Sequence, residues 1–255
     1  MSEHTDGKPL DRTLELLQQP PAAPDVRRGY LDLLGDEGPR SSGRVQNAWL
    51  SGTGSAIYDG LLRAGFALRE RVRPHTGQGV LAFLDVPQRL GTTAGSAVLD
   101  VGSGPGNITR GIGRSLGESG FVVGLDVSPA MLERAVDSTT GSNVVYARAD
   151  ASELPFRDAT MDAVSCSACL QLLPDPYAAI DEMRRVLRPG GRVALTAPGG
   201  MTGTLGKVTD ALGRAGDIHL FEPGSLRQAL QERGFSEIND RSTAVLHVLD
   251  ATKPA

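Results

Sequence analysis

From about residue 95 onward, short apolar runs alternate with longer segments that have helical spacing. Apolar runs of about five residues bounded by turn residues are typical of buried strands, and apolar positions three and four apart are typical of helices. This alternation predicts a mostly parallel sheet with helices on both faces. The strand-like runs are 97–101, 121–126, 144–148, 163–167, 192–196, 235–238 and 244–249, and the helix-like segments are 108–116, 129–136 and 177–187.

The junctions between these segments carry matching signals. Ser128-Pro129 predicts an N-cap followed by a proline in the first helical turn. Residues 188–191, RPGG, predict a helix end that leads into a strand. The expected fold class is therefore α/β, with a Rossmann-like, doubly wound, mostly parallel seven-stranded sheet and helices on both faces.

The first 94 residues do not share this pattern. Residues 1–25 are polar and contain prolines, so we expect a flexible N-terminal segment. Residues 57–72 place apolar side chains three and four apart, which predicts a helix that either packs on the main core or covers a ligand. We therefore divide the chain into a flexible segment (1–25), a helical N-terminal cap or lid (26–94) and a main domain (95–255).

Composition limits the class of protein. A formal net charge of -4 argues against a dedicated nucleic-acid binder. No apolar run approaches the roughly 18 residues of a membrane helix, and the N-terminus lacks the build of a signal peptide. Two cysteines give no disulfide framework and fit a reducing compartment. We expect a cytoplasmic protein that acts on a small molecule, with no nucleic acid and no integral membrane segment, and the oligomeric state is left open.

The stretch VLDVGSGPGN, residues 98–107, runs from a strand into a loop of alternating glycines. A loop without side chains lets a ligand approach the backbone. Asp100 would repel a pyrophosphate, and Pro105 removes an N–H that an anion would use. The corner therefore favours a ligand with positive charge, such as the sulfonium and ammonium of S-adenosylmethionine. The glycines are Gly102, Gly104 and Gly106, spaced G-x-G-x-G rather than the G-x-G-x-x-G of dinucleotide folds.

Two further carboxylates follow strands of the same predicted sheet. Asp126 ends the second strand and can accept hydrogen bonds from both ribose hydroxyls, although it would do the same for NAD. Asp150 follows the third strand and can accept from an adenine amino group, with the N–H of Ala151 available for a ring nitrogen. Acids after three successive strands favour one shared ligand site at the carboxyl edge of the sheet.

Four segments in order carry a family resemblance: VLDVGSGPGN, VVGLDVSPAML, ADASELPFRDATMDAV and MRRVLRPGGRVAL. Over about residues 95–250 the chain resembles class I S-adenosylmethionine-dependent methyltransferases. The branch is the small-molecule one that includes the quinone-ring methylases of ubiquinone and menaquinone biosynthesis. Upstream, IYDGLLRAGFALRERV is similar to the tyrosine-bearing helix that covers the cofactor in that branch, which makes Tyr58 a candidate site residue.

The resemblance implies a set of cofactor contacts. Asp100 and the loop of Gly102, Gly104 and Gly106 would face the methionine moiety, and the main chain at Cys166 would approach the methionine amine. Asp126 would hold the ribose. Val127 and Met131 would lie against the adenine ring, and Asp150 and Ala151 would contact its edge. The chain departs from many relatives at Leu170-Gln171, where they have Leu-His. Glutamine cannot act as a base near neutral pH, which puts base catalysis from Gln171 in doubt.

Other residues invite a catalytic or metal-binding interpretation. His219 follows the fifth main strand on the acceptor side, and is either a catalytic base or an ordinary loop histidine. Cys166 and Cys169 form C-x-x-C, the spacing of a redox pair or of half a zinc site. Zinc would need two more ligands and the four histidines are scattered, so we expect two buried thiols at a strand end and no metal site. Residues 199–219 have glycines at both ends and an apolar helical face, so they either pack on the domain or close over an apolar acceptor.

The expected function is transfer of a methyl group from S-adenosylmethionine to a small molecule, with apolar, quinone-like or lipid-like acceptors included. Such an in-line displacement mainly requires alignment of donor and acceptor and exclusion of water. Two alternatives stay open at this point: a non-catalytic module that keeps the cofactor fold, and a nicotinamide-dependent oxidoreductase. The sequence does not tell whether the acceptor atom is carbon, oxygen or nitrogen.

Overall fold

The computed structural model describes residues 9–35, 85–200, 218–243 and 246–255. In chain order the elements are α1 (Pro9–Leu16), β1 (Leu31–Asp32), α2 (Val86–Leu90), β2 (Ala97–Val101), α3 (Asn107–Leu116), β3 (Phe121–Asp126), α4 (Pro129–Asp137), β4 (Val144–Arg148), β5 (Met161–Ser167), a 3-10 helix (Leu170–Leu172), α5 (Pro176–Val186), β6 (Leu187–Pro198), α6 (Ser225–Glu232), β7 (Ser236–Asp240) and β8 (Leu246–Thr252). Within these ranges no helix is long and apolar enough to cross a membrane.

The strands form one sheet in the order β1-β4-β3-β2-β5-β6-β8-β7. Neighbours pair in parallel from β1 to β6, whereas β8 runs antiparallel to both β6 and β7. The predicted α/β, doubly wound, mostly parallel fold is therefore confirmed. The sheet has eight strands rather than seven, because Leu31 and Asp32 add a short parallel strand beside Ala147 and Arg148.

Local sequence signals place most element boundaries. The strands predicted at 97–101, 121–126 and 144–148 have the observed bounds. The predicted N-cap is confirmed, because the Ser128 hydroxyl accepts the Met131 N–H at 3.4 Å and proline follows in the first turn. The predicted helix end at RPGG is also confirmed, since α5 ends at Val186 and β6 begins at Leu187.

Helices cover both faces of the sheet. Leu99 and Val101 of β2 belong to the larger core cluster, which also contains apolar side chains of α5 and α6. Val98 points to the opposite face and packs with side chains of α2 and α3. Asp100 alternates in phase with Val98, so its carboxylate lies on the face that α3 covers.

The expectation of a flexible segment over residues 1–25 is wrong for residues 9–25. Thr13 and Leu17 are buried, and the Gln18 N–H donates to the Pro155 carbonyl at 2.8 Å. The reason is an apolar face with spacings of four and three, in which Leu10 and Leu14 pack with Leu17 against the larger core. The neighbouring prolines and glutamines make the segment polar overall, so its composition does not reveal this short apolar pattern.

The boundary drawn at residue 95 also differs from the structure. Helix α2, placed by sequence in the cap region, buries Val86 and Leu90 in the same core cluster as Val98. Strand β1 likewise belongs to the sheet, although it falls within the 26–94 region. The helix predicted over 57–72 lies outside the described residues.

The antiparallel end of the sheet holds a buried ion cluster, which we call the Asp250 cluster: Asp250, Arg89, Arg192, Arg241 and Asn239. Asp250 accepts hydrogen bonds from Arg192 at 2.7 Å, Arg241 at 2.5 Å and Asn239 at 3.0 Å. Arg89 Nε lies 3.6 Å from the Asp250 carboxylate, and both side chains are 2% exposed. Because Arg89 comes from α2, the cluster ties that helix to β6, β7 and β8.

Candidate functional site

The carboxyl ends of β2, β3, β4 and β5 meet at one edge of the sheet. The register pairs Val101 with both Leu125 and Cys166, and Asp126 with Arg148, so the loops after these strands are neighbours. In open α/β sheets ligands bind in the crevice outside this edge. The loops there carry most of the sequence-predicted cofactor residues.

Asp126 links the end of β3 to the glycine loop. Its Oδ2 accepts the Gly104 N–H at 2.8 Å, and its Oδ1 accepts the Ser128 N–H at 2.9 Å. Burial raises the pKa of Asp126, although these backbone N–H groups act in the opposite direction. Each carboxylate oxygen keeps a further lone pair, so the group can still accept hydrogen bonds from two hydroxyls of a ligand.

The three glycines of the loop have different surroundings. A Cβ at Gly102 would overlap the side chain of Cys169, and a Cβ at Gly106 would overlap the hydroxyl of Tyr146. Among the described residues, a Cβ at Gly104 would meet no atom within 4 Å, and the φ of Gly104 is +52°. Close packing within the protein therefore requires glycine at two positions, and only Gly104 presents bare backbone to open space.

Asp100 lies beneath this loop rather than on its surface. Its Oδ1 accepts the Ser165 hydroxyl at 2.5 Å and its Oδ2 accepts the Thr109 hydroxyl at 2.6 Å. The residue is 2% exposed, and burial raises its pKa to about 6 because the two hydroxyls only partly offset the loss of water. A ligand at the loop would interact with Asp100 electrostatically, through the negative charge of the carboxylate, and would not contact its oxygen atoms directly.

The adenine-side candidates follow β3 and β4. Asp150 is half-buried, and its Oδ1 accepts the Ser152 N–H at 2.8 Å, which fixes the turn after β4. Ala151 is 7% exposed and Met131 is 2% exposed, whereas Val127 is half-buried beside Asp126. The fold thus brings all four residues to the same edge as the glycine loop, with Met131 mostly inside the core.

Three buried oxygen atoms near this edge have no hydrogen-bond partner within the described residues: Ser103 Oγ, Ser167 Oγ and Gln171 Oε1. Ser103 follows β2, and Ser167 ends β5. An unpaired buried polar atom costs about 1–3 kcal/mol of folding free energy. A ligand that donates hydrogen bonds to these oxygen atoms would remove that penalty, which favours its binding. Sequence reasoning missed Ser103 and Ser167, although hydroxyl residues directly after parallel strands were a usable signal.

The structure brings two of the three candidate catalytic residues together. Gln171 Nε2 donates to the Ala168 carbonyl at 2.7 Å, and the Gln171 carbonyl accepts the His219 N–H at 2.8 Å. His219 is exposed. Tyr58 lies outside the described residues, as do positions 201–217 of the predicted lid, including Leu205, Val208 and Leu212. A backbone hydrogen bond joins the described residues on either side of that stretch, since the Gly200 N–H donates to the Phe221 carbonyl at 2.7 Å.

The C-x-x-C pair adjoins the glycine loop. Cys166 is buried in β5, and Cys169 is half-buried against Gly102. A hydrogen bond with Cys166, together with burial, raises the pKa of Cys169 well above its ordinary value, so this side chain is a thiol at neutral pH. In the part of the chain that the structure describes, no group of three or more His, Cys, Asp and Glu residues is placed to hold a metal ion.

The parallel sheet with an antiparallel β6-β8-β7 end is the fold of solved methyltransferases. Phosphoethanolamine N-methyltransferase 2 of Haemonchus contortus superposes with a TM-score of 0.62 at 21% identity, over 69% of this chain and 53% of that one. The YcgJ protein of Bacillus subtilis superposes with a TM-score of 0.60 at 15% identity, over 68% and 98%. The [4+2]-cyclase SpnF shares the fold with a TM-score of 0.58 at 20% identity, over 70% and 82%.

Sequence comparisons narrow this class. Residues 99–195 match the family model described as a methyltransferase domain. The ubiquinone/menaquinone biosynthesis C-methyltransferase UbiE of Saccharophagus degradans is 39% identical over 109 residues, which cover 41% of this chain and 44% of that protein. UbiE of Hahella chejuensis is 40% identical over 107 residues, which cover 40% and 43%. The alignments thus span less than half the length of these curated relatives.

The fold and the sequence matches agree on the class of domain. Residues 99–195 match the methyltransferase-domain model, and the described sheet has the fold of class I S-adenosylmethionine-dependent methyltransferases. In the described part of the chain, the edge after β2–β5 combines uncovered backbone at Gly104, a carboxylate at Asp126 and hydroxyls without a partner at Ser103 and Ser167.

Proposed function

We propose that this chain transfers a methyl group from S-adenosylmethionine to a small-molecule acceptor, with the cofactor bound outside the carboxyl ends of β2–β5. The observation that carries the proposal is the environment of Gly104. Its backbone faces space that no described residue occupies, and its N–H donates to Asp126, whereas side chains of the protein pack against the other two glycines. A ligand can therefore lie directly on the loop at one defined point.

Each part of the cofactor has a matching group in the chain. The Asp126 carboxylate would accept both ribose hydroxyls, and Gly104 would leave room for the methionine moiety. Asp150 and the N–H of Ala151 would bind the adenine edge, and Val127 and Met131 would contact its ring. Gly102 and Gly106 would shape the loop, and the main chain at Cys166 would accept from the methionine amine.

Charge also favours this ligand. The cofactor brings a positively charged sulfonium and ammonium and supplies the methyl group. Asp100 lies under the loop, and the described residues give its carboxylate oxygens hydrogen bonds from hydroxyl groups alone. A bound cation would favour the ionised form of Asp100, which burial otherwise disfavours.

The protein's contribution to transfer is alignment of the acceptor and exclusion of water. Gln171 would orient the acceptor, because its Nε2 is fixed on Ala168 while its Oε1 is buried without a partner in the described part of the chain. A base is needed only for an acceptor atom that must lose a proton. His219 is the candidate for that role, since its main chain is bonded to Gln171 and its side chain is exposed.

The acceptor is proposed to be apolar, in the manner of a quinone or a lipid. The support is the similarity to the quinone methyltransferases, which covers 41% of this chain. The acceptor-side candidates Tyr58 and the predicted lid over 199–219 would complete the cavity on this proposal.

The first experiment is calorimetric titration of the full chain with S-adenosylhomocysteine and, separately, with NADH. We expect saturable binding of the first ligand only. The second experiment incubates the protein with methyl-labelled S-adenosylmethionine and fractions of a cell extract, and measures label in organic-soluble products. Binding of NADH instead would favour an oxidoreductase, and cofactor binding with no labelled product in any fraction would favour a non-catalytic module.

A further inference from the structure

A second polar cavity lies at the opposite edge of the sheet from the glycine loop. Its volume is about 710 Å³, and it lies between the ends of α5 and α6, the loop before β5 and the residue after β8. The carboxyl ends of β2–β5 point away from it. The lining residues are Asp158, Asp181, Arg184, Arg185, Glu232, Arg233, Gly234 and Lys253.

The acidic residues of this cavity already have partners. Asp158 pairs with Arg185 Nη1 at 2.8 Å, and Asp181 pairs with Arg233 Nε at 2.8 Å. The Glu232 carboxylate accepts a hydrogen bond from Gln228 in the same helix at 2.8 Å. Two of the four cationic side chains are therefore paired with carboxylates, whereas the Glu232 carboxylate has a neutral partner in Gln228 and keeps its negative charge.

The other two cations, Arg184 and Lys253, pair with no carboxylate within the described residues. Lys253 Nζ donates to the carbonyls of Arg184 at 2.9 Å and Leu187 at 2.6 Å, which holds the ammonium in place and leaves one N–H free. Burial, followed by the charge of Arg184, lowers the pKa of Lys253. Arg184 Nε is buried and has no hydrogen-bond partner in the described part of the chain.

We propose that Arg184 and Lys253 form a binding site for a phosphate dianion, separate from the cofactor site and independent of the methyl-transfer proposal. Two adjacent cations are matched by one doubly charged group, whereas a monocarboxylate neutralises only one of them. A guanidinium fork and a fixed ammonium are the groups that proteins use for phosphate. The cavity is larger than one phosphate ion, so the site also has room for the organic part of a phosphorylated molecule.

The test is titration of the full chain with sodium phosphate at pH 7.5, against sodium chloride and sodium acetate at equal ionic strength. We expect saturable binding of phosphate and none of chloride or acetate. A parallel titration with glycerol phosphate distinguishes the two possible sources of the dianion, which are free inorganic phosphate and a phosphorylated metabolite. Tighter binding of glycerol phosphate assigns the site to a phosphorylated metabolite, and tighter binding of inorganic phosphate assigns it to the free ion.

The decisive variant is Arg184→Gln, which removes a side chain that has no partner among the described residues and should leave the fold intact. We expect phosphate binding to weaken about tenfold or more, the effect of losing one hydrogen bond to a charged group. Arg188→Gln is the matched control, because Arg188 is exposed, lies near the same edge and pairs with Asp162 at 2.6 Å. It removes the same charge and should change the affinity less than about twofold.

A second variant, Lys253→Gln, should weaken phosphate binding as well. Affinity for S-adenosylhomocysteine should not change in either variant, which separates this site from the cofactor edge. Equal responses to phosphate and chloride would overturn the proposal. Equal losses in Arg184→Gln and Arg188→Gln would also overturn it, because the binding would then follow net charge alone.

Discussion

Asp100 and Asp250 are equally inaccessible to water, at 2% and 1% exposure, but their surroundings are opposite. Asp250 receives hydrogen bonds from Arg192 and Arg241 and lies near Arg89. Burial alone would raise the pKa of Asp250, but hydrogen bonds from Asn239 and Arg241 and the nearby arginine charges lower it. Among the described residues, Asp100 receives hydrogen bonds from two hydroxyl groups and from no cation, and its pKa is raised to about 6.

The difference separates a structural charge from a ligand-directed one. A buried carboxylate with several cationic partners belongs to the native packing, and losing it leaves other buried charges without partners. A buried carboxylate without a cation lowers the stability of the folded protein when it ionises. Such an arrangement is typical of functional sites, where a ligand supplies the missing partner. If the proposed function is correct, the cofactor's positive charge is the partner that Asp100 lacks, whereas Asp250 already has its cations within the protein.

The largest expected effect is at the Asp250 cluster. Asp250→Asn should lower the free energy of unfolding by about 3–5 kcal/mol, because Arg89 and Arg192 lose the charge that offsets their burial. Urea denaturation of the variant and the unchanged protein measures the difference. Asp25→Asn is the control, since Asp25 pairs with Arg27 on the surface and should change stability little. If both variants lose equally little, the cluster does not stabilise the fold.

At the cofactor edge, Gly104→Val should weaken S-adenosylhomocysteine binding by more than about 100-fold, or roughly 2.7 kcal/mol. The valine side chain would fill the open space on the loop. Calorimetric titration measures the loss, and circular dichroism checks that the fold is kept. Gly190→Val is the control, because Gly190 also has positive φ and open space but lies at the other edge. Equal losses would mean that backbone strain, rather than ligand space, causes the effect.

Asp100→Asn should stabilise the protein at pH 8 by about 2–3 kcal/mol while weakening the binding of S-adenosylmethionine. The pKa of Asp100 is about 6 in the folded state and ordinarily 3.8, so its contribution to stability is complete below pH 3.8 and is lost as the pH rises through 6. The gain from the substitution should therefore be absent near pH 4 and complete above about pH 7. Urea denaturation at pH 4, 6 and 8 checks this.

The same pH series sharpens the comparison with Asp250. Because the pKa of Asp250 is lowered, its stabilising contribution is present above its ordinary pKa and decreases as the pH falls. The loss of stability caused by Asp250→Asn should therefore shrink in acid. At the same low pH, Asp100→Asn should give no gain in stability. A pH-independent difference for either variant would contradict the assigned ionisation states.

The smallest expected effects concern the ribose and the adenine. Asp126→Ala should weaken S-adenosylhomocysteine by about 1.5–3 kcal/mol, the range for hydrogen bonds to a charged group. Asp150→Ala should cost less, since Val127 and the N–H of Ala151 would still contact the adenine. Titration of both variants measures the order. Negligible losses at both positions would place the cofactor elsewhere.

Much of this edge could be predicted from local sequence. The strand that ends at Val101, the N-cap at Ser128 and the acids at the strand ends each follow from neighbouring residues, and the fold brings them together as expected. Elements held mainly by distant contacts were missed. Strand β1 has only two residues, and it exists because Leu31 and Asp32 pair with β4, more than a hundred positions away.

The sequence by itself determined the order of the main strands from β2 to β6, the glycine loop and the three acids, because periodicity, capping and turn preferences act over a few residues. Only the tertiary structure decided which glycine is left uncovered by the described residues, since Cys169 and Tyr146 come from other strands and loops to pack on Gly102 and Gly106. It also decided the charge environments of Asp100 and Asp250. Both are single acids within apolar strands, and their pKa values diverge because arginines from three separate segments reach one of them and only hydroxyls reach the other.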